Sequence, residues 1–361
     1  MSLGKNFTVT FFGESHGECI GVVIYGCPAG LKFDEEFINQ ELKRRSPIDY
    51  MISTSRVEED SVKVFSGVFN GYTTGAPICM AIYNRNVDSS VYEELRFKPR
   101  PGHADYPAYI KYAGFNDFRG GGIFSGRLTA AYVLAGAVAK MMLKILNIEV
   151  IAHTVEIAGI KAKPQGIEEI RRNIHSNVVR CADLDAACLM IERIKKAMEN
   201  GDSVGGVIEC IALNIPIGLG EPPIDTLDGD IAKALFAIPA VKGVEFGLGF
   251  DFARMYGSEC NDQFTVSNGK IIMKTNNCGG ILGGISCGTP IVCRAVIKPT
   301  PSIHKPQKTV DLRSMKETII EVKGRHDVCI VPRAIPVVEG MVSIVLADHA
   351  IRLGLVKTVL R

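Results

Sequence analysis

Very little in this chain marks it as a partner of polyanions or of membranes. Its 41 basic and 39 acidic residues leave a formal net charge of only +2, whereas phosphate-backbone and anionic-bilayer binding draw on a basic surplus gathered on one face. No nucleic acid and no membrane is therefore expected as a partner, and any cation that matters acts locally. Lys, Asp, Glu or Gly breaks up the longest apolar stretches every few residues, which argues against a membrane span. Residues 1–10 carry one Lys and then alternate like a strand. They show neither a charged leader nor the apolar run of roughly 7–15 residues that a signal peptide needs, so a cytoplasmic location is expected.

Cys-x-x-Cys is missing as well. The cysteines number 11, an odd count, and sit mostly in apolar or Gly-rich stretches where a free thiol behaves as a small hydrophobe. Neither a disulfide framework nor a metal site is expected, and a reducing compartment fits. Also absent are G-x-x-x-x-G-K-[ST] and G-x-G-x-x-G, which weakens the case for a Walker-type NTPase and for an ordinary Rossmann dehydrogenase.

What is present, over 361 residues, is enough to bury a large core. Strand-like runs bounded by Gly, Pro or Asn fall at 6–12, 20–26, 62–69, 77–83, 149–158, 205–214, 242–250 and 291–298. Helical periodicity falls at Asp34–Arg45, with Asp34 placed to cap, and at 127–146, 184–200, 228–237 and 336–353. Strands come in pairs with helices between the groups, which predicts an α+β layered domain and not a doubly wound parallel sheet. An internal echo runs through the chain. Gly21-Val-Val-Ile-Tyr-Gly, a Pro-Ala-Gly turn and the Asp34 helix resemble Gly206-Val-Ile-Glu-Cys-Ile, an Ile-Pro-Ile-Gly turn and the Asp228 helix. Later, 71–78 resembles 284–291, and His103-Ala-Asp105 and His326-Asp327 each precede a long helix. The repeated order predicts a duplication, with a pseudo-twofold placing both His-Asp segments near one cleft. No low-complexity linker separates the halves, so one domain over 1–361 is expected, with similar halves at roughly 1–150 and 200–355.

Several segments could carry chemistry. Gly13-Glu14-Ser15-His16-Gly17 follows a strand as a tight turn, and His16 is a candidate general acid or a merely structural histidine. Lys43, Arg44 and Arg45 end a helix, where the dipole accounts for at least one cation and another could clamp an anion. In Arg100-Pro-Gly-His103-Ala-Asp105 the carboxylate could fix the imidazole tautomer. Gly120-Gly121-Gly122 runs into a helix with Ser125 as a cap and Arg119 and Arg127 alongside, an anion nest in physical terms. The glycines of 279–284 would let a flat ring or a phosphate approach the backbone. Lys298, Thr300 and Ser302 on a Pro-stiffened loop suit a phosphate, and Gly324-Arg325-His326-Asp327 with Arg333 precedes the last helix. Together these features suit a small polyanionic substrate and an elimination assisted by proton transfer. The residues by themselves do not name the substrate.

As an ordered set, these motifs resemble the chorismate synthases. The family's signatures are matched by Gly13–Gly17, by Gly120–Arg127 and by Gly324–Asp327, with His103-Ala-Asp105, 279–284 and Lys298–Thr300 in agreement. The resemblance implies a β-α-β sandwich with pseudo-twofold internal duplication, a homotetramer, and a lyase of chorismate and aromatic amino acid biosynthesis in the shikimate pathway. The implied reaction is the 1,4-anti elimination of phosphate from 5-enolpyruvylshikimate-3-phosphate, requiring reduced FMN without net redox change. His16 would protonate the departing phosphate, His103 would act on the flavin, and Asp327 would help flavin N5 act as a base. Ser15, Arg45, Arg127 and Arg333 would bind substrate. Ile123, Phe124, Ser125, Pro239, Ala240, Gly283, Lys298, Pro299, Thr300, Pro301, Ser302 and Arg325 would line the FMN site. Ile123, Phe124, Met51 and Pro239 depart from the residues usual in the family, with Arg56 a candidate substitute for the arginine absent at Met51; weaker flavin or substrate binding is expected from these changes. Some relatives reduce flavin with NADPH, but no extra nucleotide motif is present, so an external flavin reductase is the expected source. The alternatives are a flavin-dependent oxidoreductase on a small anionic substrate and a non-catalytic anion-binding relative.

Overall fold

The computed structural model describes residues 2–47, 60–85, 89, 92–322 and 326–360. Its first half holds β1 (Ser2–Leu3), β2 (Thr8–Gly13), β3 (Cys19–Tyr25), α1 (Glu35–Arg45), β4 (Lys63–Ser66), β5 (Ile78–Tyr83), α2 (Asp105–Lys111) and α3 (Thr129–Ile145). After it come β6 (Glu149–Ile157), β7 (Ile160–Lys161), α4 (Ile167–Asn173), α5 (Leu184–Glu199), β8 (Gly206–Leu213), α6 (Leu227–Phe236), β9 (Val241–Phe246), β10 (Ile291–Ile297), a hairpin of β11 (Gln307–Asp311) and β12 (Lys316–Ile320), and α7 (Val331–Arg352).

The two large sheets are antiparallel and share one topology. Sheet order is β1-β2-β3-β5-β4 in the first and β9-β10-β8-β6-β7 in the second. Aligning β2, β3, α1, β4, β5, α3 with β6, β8, α6, β9, β10, α7 superposes the chain order on the spatial order, so the fold is an internal duplication. The second repeat opens at Glu149, with α4 and α5 inserted inside it, and so starts well before residue 200. Side chains two apart on each strand share a face. Ile20, Val22 and Ile24 on β3 and Ile291, Cys293, Ala295 and Ile297 on β10 are thereby buried in one core with the helices between the sheets. Helix α4 covers the outer face of the second sheet, packing Ile170 with Ile151 and Ile211.

Helices α3 and α7 form the middle layer and meet at two glycines. A methyl group on Gly136 would lie 2.3 Å from Gly340 Cα, so only hydrogens fit at the crossing. Both helices are long and apolar enough to cross a membrane, contrary to the sequence-based expectation, but 78% and 89% of their apolar stretches lie inside the protein. A helix apolar all round is a core helix when it is buried on all sides. Helix α7 also begins at Val331, earlier than the expected 336. Pro332 falls in the first turn, where no backbone N–H is needed, and Pro336 is held inside by packing on every face.

One charged cluster sits within this layer. Glu339 of α7, 2% exposed, takes Arg44 at 2.6 and 2.8 Å, Lys140 at 2.6 Å and the Ala152 backbone N–H at 3.0 Å. Burial alone would push its carboxyl up, but Arg44 and Lys140 outweigh burial and hold it well below the usual carboxylate range. All the cysteines are free thiols, and burial pushes Cys27 and Cys329 up to about 12, which leaves them inert packing groups.

Candidate active site

The turn after β2 is held from one side by Asn84, at the end of β5. Its Nδ2 donates to the carbonyls of Glu14 (3.0 Å) and Gly17 (2.8 Å), and its backbone N–H donates to Glu18 (2.9 Å). The turn presents Ser15 and His16, both buried. His16 Nδ1 lies 2.8 Å from Ser89 Oγ, and the ring stands edge-on to Tyr92 at 5.1 Å. Its other edge faces Gly120, where a methyl group would come within 2.6 Å of Nε2 and 2.7 Å of Ser15 Oγ. The neighbouring Gly121 faces the second histidine, and a methyl there would lie 3.2 Å from His103 Nε2. Residues 120–122 take left-handed φ values of 60°, 85° and 53°, so the chain slips between the two imidazoles in a conformation that suits glycine.

His103 is fixed by its own loop. Its Nδ1 lies 2.5 Å from Asp105 Oδ1, and Arg100 Nη2 sits 3.1 and 3.3 Å from the two ring nitrogens. Arg100 also binds Asp105 through Nε (2.7 Å) and Ser302 Oγ through Nη1 (3.1 Å). Burial would raise the Asp105 carboxyl, but hydrogen bonds from Arg100 and His103 hold it well below the usual range. The Lys298–Ser302 loop packs on this segment, with Lys298 Nζ donating to Gly102 O (3.0 Å) and the Lys298 backbone N–H to Ala240 O (2.9 Å). Burial, with Lys242 nearby, pulls the Lys298 ammonium down.

From there the contacts close into a ring. Thr300 Oγ1 donates to the Asp327 carbonyl at 2.8 Å, and the Asp327 carboxylate forms a close ion pair with Arg333. Arg333 Nε donates to Arg45 O (3.1 Å), and Arg45 reaches Thr129 Oγ1 (2.9 Å) and Gly126 O (3.0 Å). Asp60 binds Arg127 at 2.7 and 2.8 Å and lies 3.6 Å from Arg45. Arg127 Nε returns to Asn84 Oδ1 at 2.9 Å, and so to the His16 turn. Among these residues Arg45, Arg100, Arg127, Lys298 and Arg333 outnumber Asp60, Asp105 and Asp327. The N-terminal ends of α3 and α7 both point here and add their positive dipole ends. A largely buried, cation-rich ring of loops, with an imidazole on either side of its Gly120–Gly121 segment, can bind a polyanion and hand it a proton.

Not every expected residue joins the ring. Ser125 does, through its Oγ, which caps the Arg127 N–H at 3.3 Å. Ile123 turns its side chain against the apolar core. Gly283 adjoins Gly284, whose carbonyl accepts from Leu227 at the start of α6, whereas Ala240 lies just past the end of that 10-residue helix. At about 1.5 Å per residue, Gly283 is thus roughly 15 Å from the Lys298 loop in this chain. Arg325, Met51 and Arg56 lie outside the described residues. Conversely, sequence reading missed Asp60, Asn84, Ser89 and Thr129. Asp60, Asn84 and Ser89 are marked only by contact with candidate residues far away along the chain, whereas Thr129 stands two residues past Arg127.

As to the residues that could hold a flavin, a lysine with two hydroxyls and prolines beside His103 and Asp327 fits a phosphate-bearing planar ring. No cluster with metal-ligand character occurs among the described residues.

Residues 7–351 match the family model described as chorismate synthase. The chain is 54% identical over 360 residues to a chorismate synthase of Dehalococcoides mccartyi, covering 100% of this chain and 99% of that one. It is 53% identical to a chorismate synthase of Methanococcoides burtonii, over 98% of this chain and 96% of the other. A crystal structure of chorismate synthase superposes with a TM-score of 0.76 at 32% identity, covering 97% of this chain and 93% of that one.

Proposed function

The chain belongs to the chorismate synthase family, and on that premise we propose that the ring of loops around His16 and His103 is its active site. The enzyme is a carbon–oxygen lyase acting on a phosphate ester. It eliminates phosphate 1,4-anti from 5-enolpyruvylshikimate-3-phosphate to give chorismate. The observation that carries the site assignment is the closed circuit of contacts joining both histidines, Asp327 and three arginines within one cation-rich cleft.

His16 donates a proton to the leaving phosphate oxygen. Ser89 on Nδ1 fixes the ring with its Nε2 edge against Gly120, at the loop that leads to Arg127. Arg45, Arg127 and Arg333 hold the phosphate and carboxylates, with Ser15 of the His16 turn as a further substrate contact; preorganised cations aimed at developing charge are the main expected source of rate. Reduced FMN is the cofactor; Ser125, Ala240 and the Lys298–Ser302 loop would hold it, with Phe124, Pro239 and Arg325 as further candidate contacts. When bound it supplies transient electron density and a base for the ring proton, with no net redox change. His103, aligned by Asp105 and Arg100, would protonate or polarise the bound flavin, and Asp327 would help flavin N5 act as a base. The enzyme works in the cytoplasm as a single-domain chain and a homotetramer. Reduced flavin comes from an external reductase.

The test is an anaerobic assay of phosphate release from the phosphorylated substrate, with and without reduced FMN. Release that needs reduced FMN but consumes no reducing equivalents is expected. Stoichiometric consumption of reductant would replace the lyase reading with an oxidoreductase.

A further inference from the structure

We propose that Asp60 and Asn84 are positioning residues that set where the anion-binding arginines stand relative to the proton donor. The inference rests on the assignment of Arg45 and Arg127 to the substrate.

Asp60 sits between two guanidinium groups that would otherwise repel each other. Its side chain is 3% exposed, and those of Arg45 and Arg127 are 6% and 8% exposed. Arginine stays protonated at all ordinary pH, so these charges cannot be relieved by losing a proton. The Asp60 carboxylate, bonded to Arg127 through both oxygens and 3.6 Å from Arg45, fixes the separation of the two guanidinium groups.

Asn84 does the complementary task. Its Oδ1 accepts from Arg127 Nε, while both hydrogens of Nδ2 go to the Glu14 and Gly17 carbonyls. Only one orientation of the amide satisfies all three bonds, because Nε–H must meet an acceptor and the two carbonyls must meet donors. One side chain therefore spaces the His16 turn from Arg127, and Asp60 extends that frame to Arg45. Phosphate held by the arginines is thereby registered against the imidazole that protonates it.

Charge and positioning predict opposite results, which makes the idea testable. Removing a carboxylate from a cation-rich cleft would by charge alone tighten anion binding. Positioning predicts the reverse. Calorimetric titration of inorganic phosphate into the full-length Asp60→Asn protein should show binding at least ten-fold weaker than wild type, and KM in the phosphate-release assay should rise by a similar factor with kcat changed far less. Asp60→Glu should recover part of both. Equal or tighter phosphate binding by D60N overturns the proposal. Asn84→Asp keeps the acceptor for Arg127 but turns an oxygen toward two carbonyls, so kcat should fall ten-fold or more with KM little changed. An N84D enzyme with wild-type kcat also overturns it, and N84D decides the matter if D60N does not fold. Failure of the wild-type enzyme to release phosphate would count against the lyase function; the phosphate titration tests the positioning role without turnover.

Discussion

Gly120 lies directly against His16, so closely that a methyl group would reach to within 2.6 Å of Nε2. The glycine also has φ near +60°, where a Cβ is disfavoured. Gly120→Ala should therefore displace the imidazole or the loop and lower kcat by about 100-fold, the loss typical of a misplaced catalytic group. Circular dichroism should remain that of the wild type. A fully active G120A enzyme would remove the contact from the mechanism.

His16→Ala should cost about 10²–10⁴ in kcat, the usual worth of a positioned general acid. Phosphate binding at equilibrium should change little, because the arginines carry it. An H16A protein with undiminished phosphate release would point to another proton donor.

Glu339→Gln should destabilise the protein by about 1–3 kcal/mol at neutral pH, since Arg44 and Lys140 would lose one of the two buried carboxylates they share and keep the other, Glu41. The pH dependence has a definite sign. A carboxyl held below its unfolded value of about 4.3 contributes fully above that pH and loses its contribution as pH falls through the folded value. In urea unfolding, the gap between wild type and variant should stay level from about pH 7 to 5 and narrow below about pH 4. A gap that widens with acid would contradict the ion cluster.

Gly136→Ala should push α3 and α7 apart at their crossing and cost about 1–3 kcal/mol, as overpacked cores do. Thermal unfolding would show it as a drop in Tm. An unchanged Tm would mean that the crossing gives way without cost.

Much of this architecture was readable from the sequence because strand alternation and glycine turns are local signals. The eight expected strand runs overlap the strands of the two large sheets, and the Asp34 cap on α1 is bonded to Phe37 as the pattern predicts. The hairpins at Phe264–Met273 and Gln307–Ile320 went unread, since neither buries an alternating apolar face: the first is mostly exposed, and the half-buried positions of Gln307–Asp311 are the polar Gln307, Thr309 and Asp311. In the first, Asn268-Gly269 with φ of 49° and 73° is a turn signal that could have revealed it. Candidate histidines and arginines stood out by motif. Asp60 and Asn84 did not, because their meaning lies in Arg127, 67 and 43 residues away along the chain.

The duplicated topology has a consequence for how the labour is shared. An unmodified tandem copy would present two equivalent half-clefts, each with its own imidazole and cations. Here the copies have diverged into unlike tools. His16, His103, Arg45 and Arg127 all come from the first, whereas the Lys298 loop, Asp327 and Arg333 all come from the second. A chain severed at the Asn147 turn would leave either fragment holding half a workbench, and only reassembly across the Gly136–Gly340 seam would restore a working whole.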